Sequence, residues 1–359
     1  MNFVFILFFF VISIFTLKLV KQYLKYNIDV PNTLVPPLPA VATIAPPFPI
    51  DYVFSWAGEK KESNIRSSNN NELKYSLRSV IKYAPWVNRI YVVVNSLPEN
   101  KPSWFNDSLY EEKITLITEN QIFPPGSILP NKNSNAIETC IHNIPGLSEH
   151  YVYSNDDFFL CSPTEYTDFF TPDGKAIVSD SIFSMKEMIF DKTKSVPDGF
   201  PMYEAKNKST GYAKKIKALL EYDTYFYPHV PIPLLKSVIS EYVDNYPKYI
   251  KWVREYKTRN LNGCDMCKDF NLKCPCQQQH HIMARFMYDK GLAVTKNAWS
   301  DYTYIDSFNI ENVYTNPGKF LCINDNELIQ PRRDYIQSKM NTFFKTFYPE
   351  TPFYEVFTP

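Results

Sequence analysis

Two spacings of apolar and polar positions divide the chain from Asp51 onward. Asp51 to Trp56 (DYVFSW) is a compact run of β-formers, which predicts a strand. Gly58 to Asn71 is polar and predicts a loop. From Glu72 to Tyr83 the period lengthens, and Leu73, Leu77, Val80 and Ile81 fall on one face of a predicted helix. Asn70 or Asn71 would cap that helix and Pro85 would close it. Arg89 to Asn95 (RIYVVVN) is nearly continuous in apolar residues, the pattern of a strand covered on both faces, and Ile114 to Thr118 is another such run.

The stretch Asn133 to Asp157 predicts a helix, a tight turn and a strand. Ile137, Ile141 and Ile144 make one helical face. Asn133, Ser134 or Asn135 would cap its start, and Pro145-Gly146 would end it. Tyr151-Val152-Tyr153 is the strand, and it stops on Asn155, Asp156 and Asp157. The predicted order is strand, helix, strand, strand, helix, strand. That order implies an α/β fold, a mostly parallel sheet flanked by helices. Asp168 to Thr224 has weak periodicity and is expected to form an α+β extension. Tyr225 to Pro233 (YFYPHVPIP) is rigid and extended, and helices are expected at Leu234 to Tyr246, Lys248 to Tyr256 and Ile282 to Tyr288. Phe320 to Asp325 (FLCIND) predicts a short strand with Asn324 and Asp325 at its tip.

The amino-terminal part reads differently. Phe3 to Leu17 is apolar, and Leu19 and Val20 extend the run past Lys18. Residues 1–22 are therefore expected to be a transmembrane anchor, or an uncleaved signal. Pro31 to Pro49 contains seven prolines, so 23–49 is expected to be a stiff stem. A catalytic domain over 50–330 and a tail segment over 331–359 complete the division. Lys18, Lys21 and Lys25 favour a cytosolic placement of the domain beyond them. The stem and the sequons Asn106-Asp107-Ser108 and Asn207-Lys208-Ser209 favour a secretory lumen. The expectation is a single-pass membrane protein facing the Golgi or secretory lumen, with a cytosol-facing orientation as the alternative.

Composition narrows the chemistry. The 359 residues carry 38 Lys+Arg against 38 Asp+Glu, and this zero balance gives no nucleic-acid surface. The 26 Tyr and 27 Phe suit an aromatic core or a sugar-stacking site. Four of the seven cysteines, Cys264, Cys267, Cys274 and Cys276, are spaced C-x2-C-x6-C-x-C in an inserted segment, 263–279, with His280 and His281 close by. They would hold a structural zinc or form two disulfides. Cys140, Cys161 and Cys322 lie in apolar segments and read as buried thiols. Ligands of open α/β sheets bind beyond the carboxyl ends of strands, where Asp156 and Asp157 are expected. Two adjacent carboxylates there suit a divalent cation on phosphate oxygens; the plainer alternative is one helix cap and one solvated charge.

Asn71 to Trp86, Arg89 to Asn95, Ser134 to Asp157 and Phe320 to Asp325 together resemble the signature regions of the Stealth proteins. This is a family of sugar-1-phosphate transferases that includes bacterial capsular polysaccharide phosphotransferases. The first region departs from the family pattern, with VFSWAGEK for a longer VYTWVDGSDP and Ser68-Asn69-Asn70 for Arg-Asp-Asn. The resemblance implies transfer of a sugar-1-phosphate from a UDP-sugar to an acceptor hydroxyl on a glycan or glycoprotein, with release of UMP. It implies catalytic roles for Glu138, Asp157, His229 and Arg259. Mg²⁺ or Mn²⁺ would sit on Asp156, Asp157 and Asp325, and Asp51, Asn70, Glu72, Arg78, Asn95 and Asn135 would bind the donor. His229 is the expected general base, or a nucleophile on phosphorus, and Arg259 would grip phosphate oxygens. A homodimer is compatible with this reading.

Overall fold

A computed structural model describes residues 44–58, 71–106, 113–131, 133–180, 204–206, 213–215, 229–255, 279–297, 302–306, 318–324 and 332–349. Its strands are β1 (Ile50–Ser55), β2 (Ile90–Val94), β3 (Ile114–Thr118), β4 (His150–Asn155), β5 (Phe158–Leu160), β6 (Ala176–Ser179), β7 (Glu204–Lys206), β8 (Ala213–Lys215), β9 (Ile232–Leu235), β10 (Ala293–Lys296), β11 (Tyr302–Asp306) and β12 (Phe320–Asn324). Its helices are α1 (Glu72–Tyr83), α2 (Glu119–Ile122), α3 (Ser134–Glu138), α4 (Lys236–Asn245), α5 (Pro247–Glu255), α6 (Gln279–Asp289) and α7 (Arg332–Phe347).

The central sheet has five strands in the order β3-β2-β1-β4-β9. β1, β2, β3 and β4 are parallel, and β9 runs antiparallel to β4. Every residue of β1 and of β2 is buried, as the unbroken apolar runs require when both faces are covered. The chain leaves β1 for β2 on one side and later places β4 on the other. The gap between the carboxyl ends of β1 and β4 is thus the topological switch point, the usual ligand crevice of open α/β sheets. A second sheet, β11-β12-β5, joins the first through the two-residue turn Asp156-Asp157 between β4 and β5.

The helices follow the apolar stripes, with two instructive differences. α1 matches its predicted bounds, and Leu73, Leu77 and Val80 are fully buried. Its N-cap Asn71 is left-handed at φ 65°, a conformation that asparagine tolerates. The helix expected through Ile144 stops at Glu138, and Ile141–Asn143 form a separate 3-10 turn. Arg254 takes the Thr139 carbonyl (Nη2 to O, 2.7 Å) and Thr139 Oγ1 (2.9 Å), which satisfies the helix end there. The three isoleucines remain buried all the same. Leu234 and Leu235, expected in a helix, belong to β9, because pairing with Tyr151 and His150 outweighs local helical pattern.

The largest fully buried side chains are all Tyr or Phe, so much of the aromatic content fills the core. Residues 331–359, expected as a tail, contribute the 16-residue α7, which packs on α1 and β5. Phe344 stacks on Tyr75 at 4.7 Å and lies 4.9 Å from Phe159. The Tyr348 hydroxyl donates to the Leu160 carbonyl at 2.8 Å.

The single-pass membrane expectation is corrected. Among the described residues no helix is long and apolar enough to cross a bilayer. Residues 1–22 and most of 23–49, on which that expectation rested, lie outside the described residues.

Candidate functional site at the switch point

β4 ends on Asn155, and the chain turns through half-buried Asp156 and Asp157 into β5. Two antiparallel pairings approach the turn. β9 pairs with β4 as far as Tyr153 with Ile232, and His229 lies three residues before Ile232 on the approach to β9. β12 pairs Phe158 with Cys322, and the register carried two further sets Asn324 opposite Asp156. The Ile323 amide donates to the Asp157 carbonyl at 3.1 Å, in keeping with that register. The His229 ring lies edge-on to Phe158, with centroids 6.1 Å apart. His229, through Phe158, and the β12 tip, through the Ile323 amide, therefore both lie beside the acidic turn.

The electrostatics of this turn are crowded. Burial, then the charges of Asp157 and Glu72, push the Asp156 carboxyl well above the usual carboxylate range. The Cys322 thiol lies 3.7 Å from Asp157 Oδ2, and burial together with Asp157 and Asp156 pushes it well above the usual thiol range. Packed carboxylates of this kind fit a hard divalent cation. Among the described residues no group of three or more His, Cys, Asp or Glu side chains could hold a metal ion by itself. Asp156 and Asp157 supply two carboxylates, enough for Mg²⁺ when phosphates and water complete its shell.

Glu138 reaches the same edge from the end of α3. It is 2% exposed, so it is not a solvated helix charge. Its Oε2 accepts from the His280 amide at 2.9 Å and from His280 Nδ1 at 2.7 Å. Its Oε1 lies 3.5 Å from the Tyr153 hydroxyl, which is 2.8 Å from Ser55 Oγ and donates to Asn155 Oδ1 at 3.0 Å. In the sequence His280 and His281 stand out only as neighbours of the cysteines. In the fold they open α6, and burial with the neighbouring His280 and His229 pushes His281 well below the usual imidazole range. Adjacent histidines at the start of an apolar helix were the available signal.

The expected donor-binding residues scatter. Asn95 stands at the tip of β2, where its Nδ2 donates to the Ala57 carbonyl at 3.5 Å. Glu72, first in α1, is buried close enough for its charge to reach Asp156. Asn135 is buried in the first turn of α3, its amide bonded to Asn133 Oδ1 at 3.2 Å. Asp51 lies near the amino end of β1, four residues or roughly 13 Å from the switch point. There its carboxylate accepts from Asn88 Nδ2 (2.8 Å) and the amides of Arg89 (3.1 Å) and Ser148 (2.6 Å), which ties the entries of β2 and β4 together. Arg78 also lies apart from the turn. It sits in the middle of α1, stacks on Tyr75 and donates to the Tyr348 carbonyl at 2.8 Å, holding α7. Asn70, Arg259, Asp325 and the cysteines Cys264, Cys267, Cys274 and Cys276 lie outside the described residues.

Comparison with known proteins bears on this edge. Residues 66–178 match the family model described as Stealth protein CR2, conserved region 2, a span that runs from before α1 through the acidic turn to β6. The chain thus carries a segment similar to a Stealth conserved region. Relatives of this chain include the exopolysaccharide phosphotransferase CpsY of Mycobacterium leprae, 32% identical over 239 residues, 61% of this chain and 41% of that one. The exopolysaccharide phosphotransferase cps2G of Lactiplantibacillus plantarum is 26% identical over 347 residues, 86% of this chain and 97% of that one. The capsular polysaccharide phosphotransferase fcs1 of Haemophilus influenzae is 27% identical over 333 residues, 84% of each chain. The chain spans about two fifths of the length of the Mycobacterium leprae relative.

Proposed function

We propose that this chain transfers a sugar-1-phosphate from a UDP-sugar to a hydroxyl of a glycan or glycoprotein acceptor, forming a phosphodiester and releasing UMP. The observation that carries the reading is the acidic turn Asp156-Asp157 at the switch point, with the His229 ring against Phe158 and the β12 tip bonded to Asp157 beside it. The names of the relatives, exopolysaccharide and capsular polysaccharide phosphotransferases, support it.

Phosphoryl transfer asks little covalent chemistry of a protein, and depends on positioning and on neutralising charge. Asp156 and Asp157 would hold Mg²⁺ or Mn²⁺, which when bound would neutralise the donor diphosphate. Glu72 adds a like charge that raises the Asp156 carboxyl, and a bound cation would relieve that crowding and draw the proton off. His229, on the acidic side against Phe158, would hydrogen-bond an oxygen of the transferred phosphoryl group. Arg259 would add a planar fork to the same oxygens. A second imidazole, His280, stands across the edge beside Tyr153, ring centroids 6.0 Å apart.

The test is product analysis. The purified chain is incubated with a panel of UDP-sugars, acceptor oligosaccharides and Mg²⁺ or Mn²⁺, and the released nucleotide is identified. UMP together with a phosphodiester product supports the reading. Release of UDP, with the sugar alone transferred, overturns it.

A further inference from the structure

We infer that Glu138 and His280 act as a couple, in which His280 takes the proton of the acceptor hydroxyl and Glu138 is the positioning residue behind it. The inference rests on the phosphotransfer reading above and names its base.

Glu138 is committed to His280 through two hydrogen bonds to one oxygen, from the His280 amide (2.9 Å) and from Nδ1 (2.7 Å). A buried carboxylate only accepts, so Nδ1 carries a proton. In the neutral ring this leaves the lone pair on Nε2, the nitrogen turned away from Glu138. The arrangement is that of an oriented imidazole with a carboxylate behind it, which fixes the tautomer and stabilises the imidazolium that forms when a proton arrives. The His280 side chain is 12% exposed while Glu138 is 2% exposed, so a substrate can reach the imidazole and not the carboxylate.

The surroundings agree. Tyr153, held by Ser55 and Asn155 at the strand tips, turns its hydroxyl to the other oxygen of Glu138. His281 stands edge-on to His280 at 4.1 Å. Its imidazole stays neutral, so it puts no second positive charge beside the one that His280 acquires. Among the described residues, Glu138 from α3, Tyr153 from β4 and His281 from its own helix face His280, and His229 from the approach to β9 acts on His281. His229 stands instead against Phe158, which immediately follows Asp157, and is the better placed of the two imidazoles for the phosphoryl oxygens.

In the step, the acceptor O–H bond breaks as its oxygen forms a bond to the sugar-bearing phosphorus. The bridging P–O bond breaks, and its electron pair leaves on the phosphate of UMP. The hydroxyl proton ends on His280 Nε2, giving an imidazolium paired with the Glu138 carboxylate.

Two measurements test this. In nitrogen-15 spectra of the histidine-labelled chain, we expect one imidazole in the Nδ1–H form. That signal should vanish in His280→Ala and move to the Nε2–H form in Glu138→Met, which removes the acceptor at similar volume. An Nε2–H tautomer for His280 in the native chain overturns the proposal whatever the turnover. In assays with UDP-N-acetylglucosamine and Mg²⁺, His280→Ala should lower kcat for UMP release by ~10²–10⁴-fold with KM for the donor little changed. Glu138→Gln, which keeps an acceptor, should retain more activity than Glu138→Met. Native kcat in His280→Ala with UMP still released sinks the couple and leaves the phosphotransfer reading standing. UDP as the released nucleotide sinks that reading, and the tautomer then judges the couple by itself.

Discussion

At Asp156 folding and chemistry pull in opposite directions. Burial and the charges of Asp157 and Glu72 raise its carboxyl, so the folded chain holds this proton more tightly than the unfolded chain does. The stabilising contribution of such a group is present below the ordinary carboxylate range and is lost as pH rises above it. Asp156→Asn should therefore raise the melting temperature at neutral pH, abolish any rise produced by Mn²⁺ and remove turnover. A lower melting temperature in this variant would contradict the like-charge account. Asp157→Ala and His229→Ala should each lose at least ~10²-fold in kcat while circular dichroism stays native; full turnover in both would refute the assignment of the edge. Glu119 is a separate case at the tip of β3. Burial raises its carboxyl to about 7, against the accepted hydrogen bond from the Asn131 amide at 2.7 Å. Its stabilising contribution is complete below 4.5 and disappears as pH rises to about 7. Glu119→Gln should flatten the pH dependence of stability in that window, as read by denaturant midpoints between pH 4 and pH 8. These residues were unequally visible in the sequence. The Asp156-Asp157 pair stands out as a dipeptide at a strand end. Nothing local marks Glu119 as buried or His280 as the partner of Glu138, because the two members of that pair lie 142 positions apart.

α7 is the element whose importance the sequence understates. Its apolar positions are spaced for a helix, yet residues 331–359 come after the last recognisable block and read as a tail. In the fold Ile336, Met340, Phe343, Phe344 and Phe347 are buried, and Arg78 and Lys82 of α1 donate to the Tyr348 and Phe347 carbonyls. Phe344 is fully buried between Tyr75 and Phe159. Phe344→Ala should cost about 3–5 kcal/mol in urea unfolding, the range for an aromatic truncated in a packed core. A loss under ~1 kcal/mol would show that α7 is dispensable to the core. β9 teaches the opposite lesson. Its proline-framed sequence looks extended without a partner, and only pairing with β4 makes it a strand of the central sheet.

Across the described residues, the two edges of the central sheet hold different polar groups, and the proposed chemistry uses only one of them. Its amino edge holds Asp51, whose buried carboxylate gathers Asn88, Arg89 and Ser148. Its carboxyl edge gathers Glu138, Asn155, Asp156 and His229. Asp51→Asn should lower stability by about 1.5–3 kcal/mol, the range for hydrogen bonds to a charged group, with kcat of the folded protein unchanged. A selective loss of kcat would place Asp51 in the site after all.

The sequence by itself determined the strands of the parallel sheet, the apolar face of α1 and the acidic turn, because each of these is a local pattern within about 25 residues. Tertiary structure decided the rest. Pairing across 79 positions between Tyr153 and Ile232, and across 164 positions between Phe158 and Cys322, chooses which side chains face the turn. The physical reason is that register and burial are set by partners distant in the chain, and no local spacing encodes them.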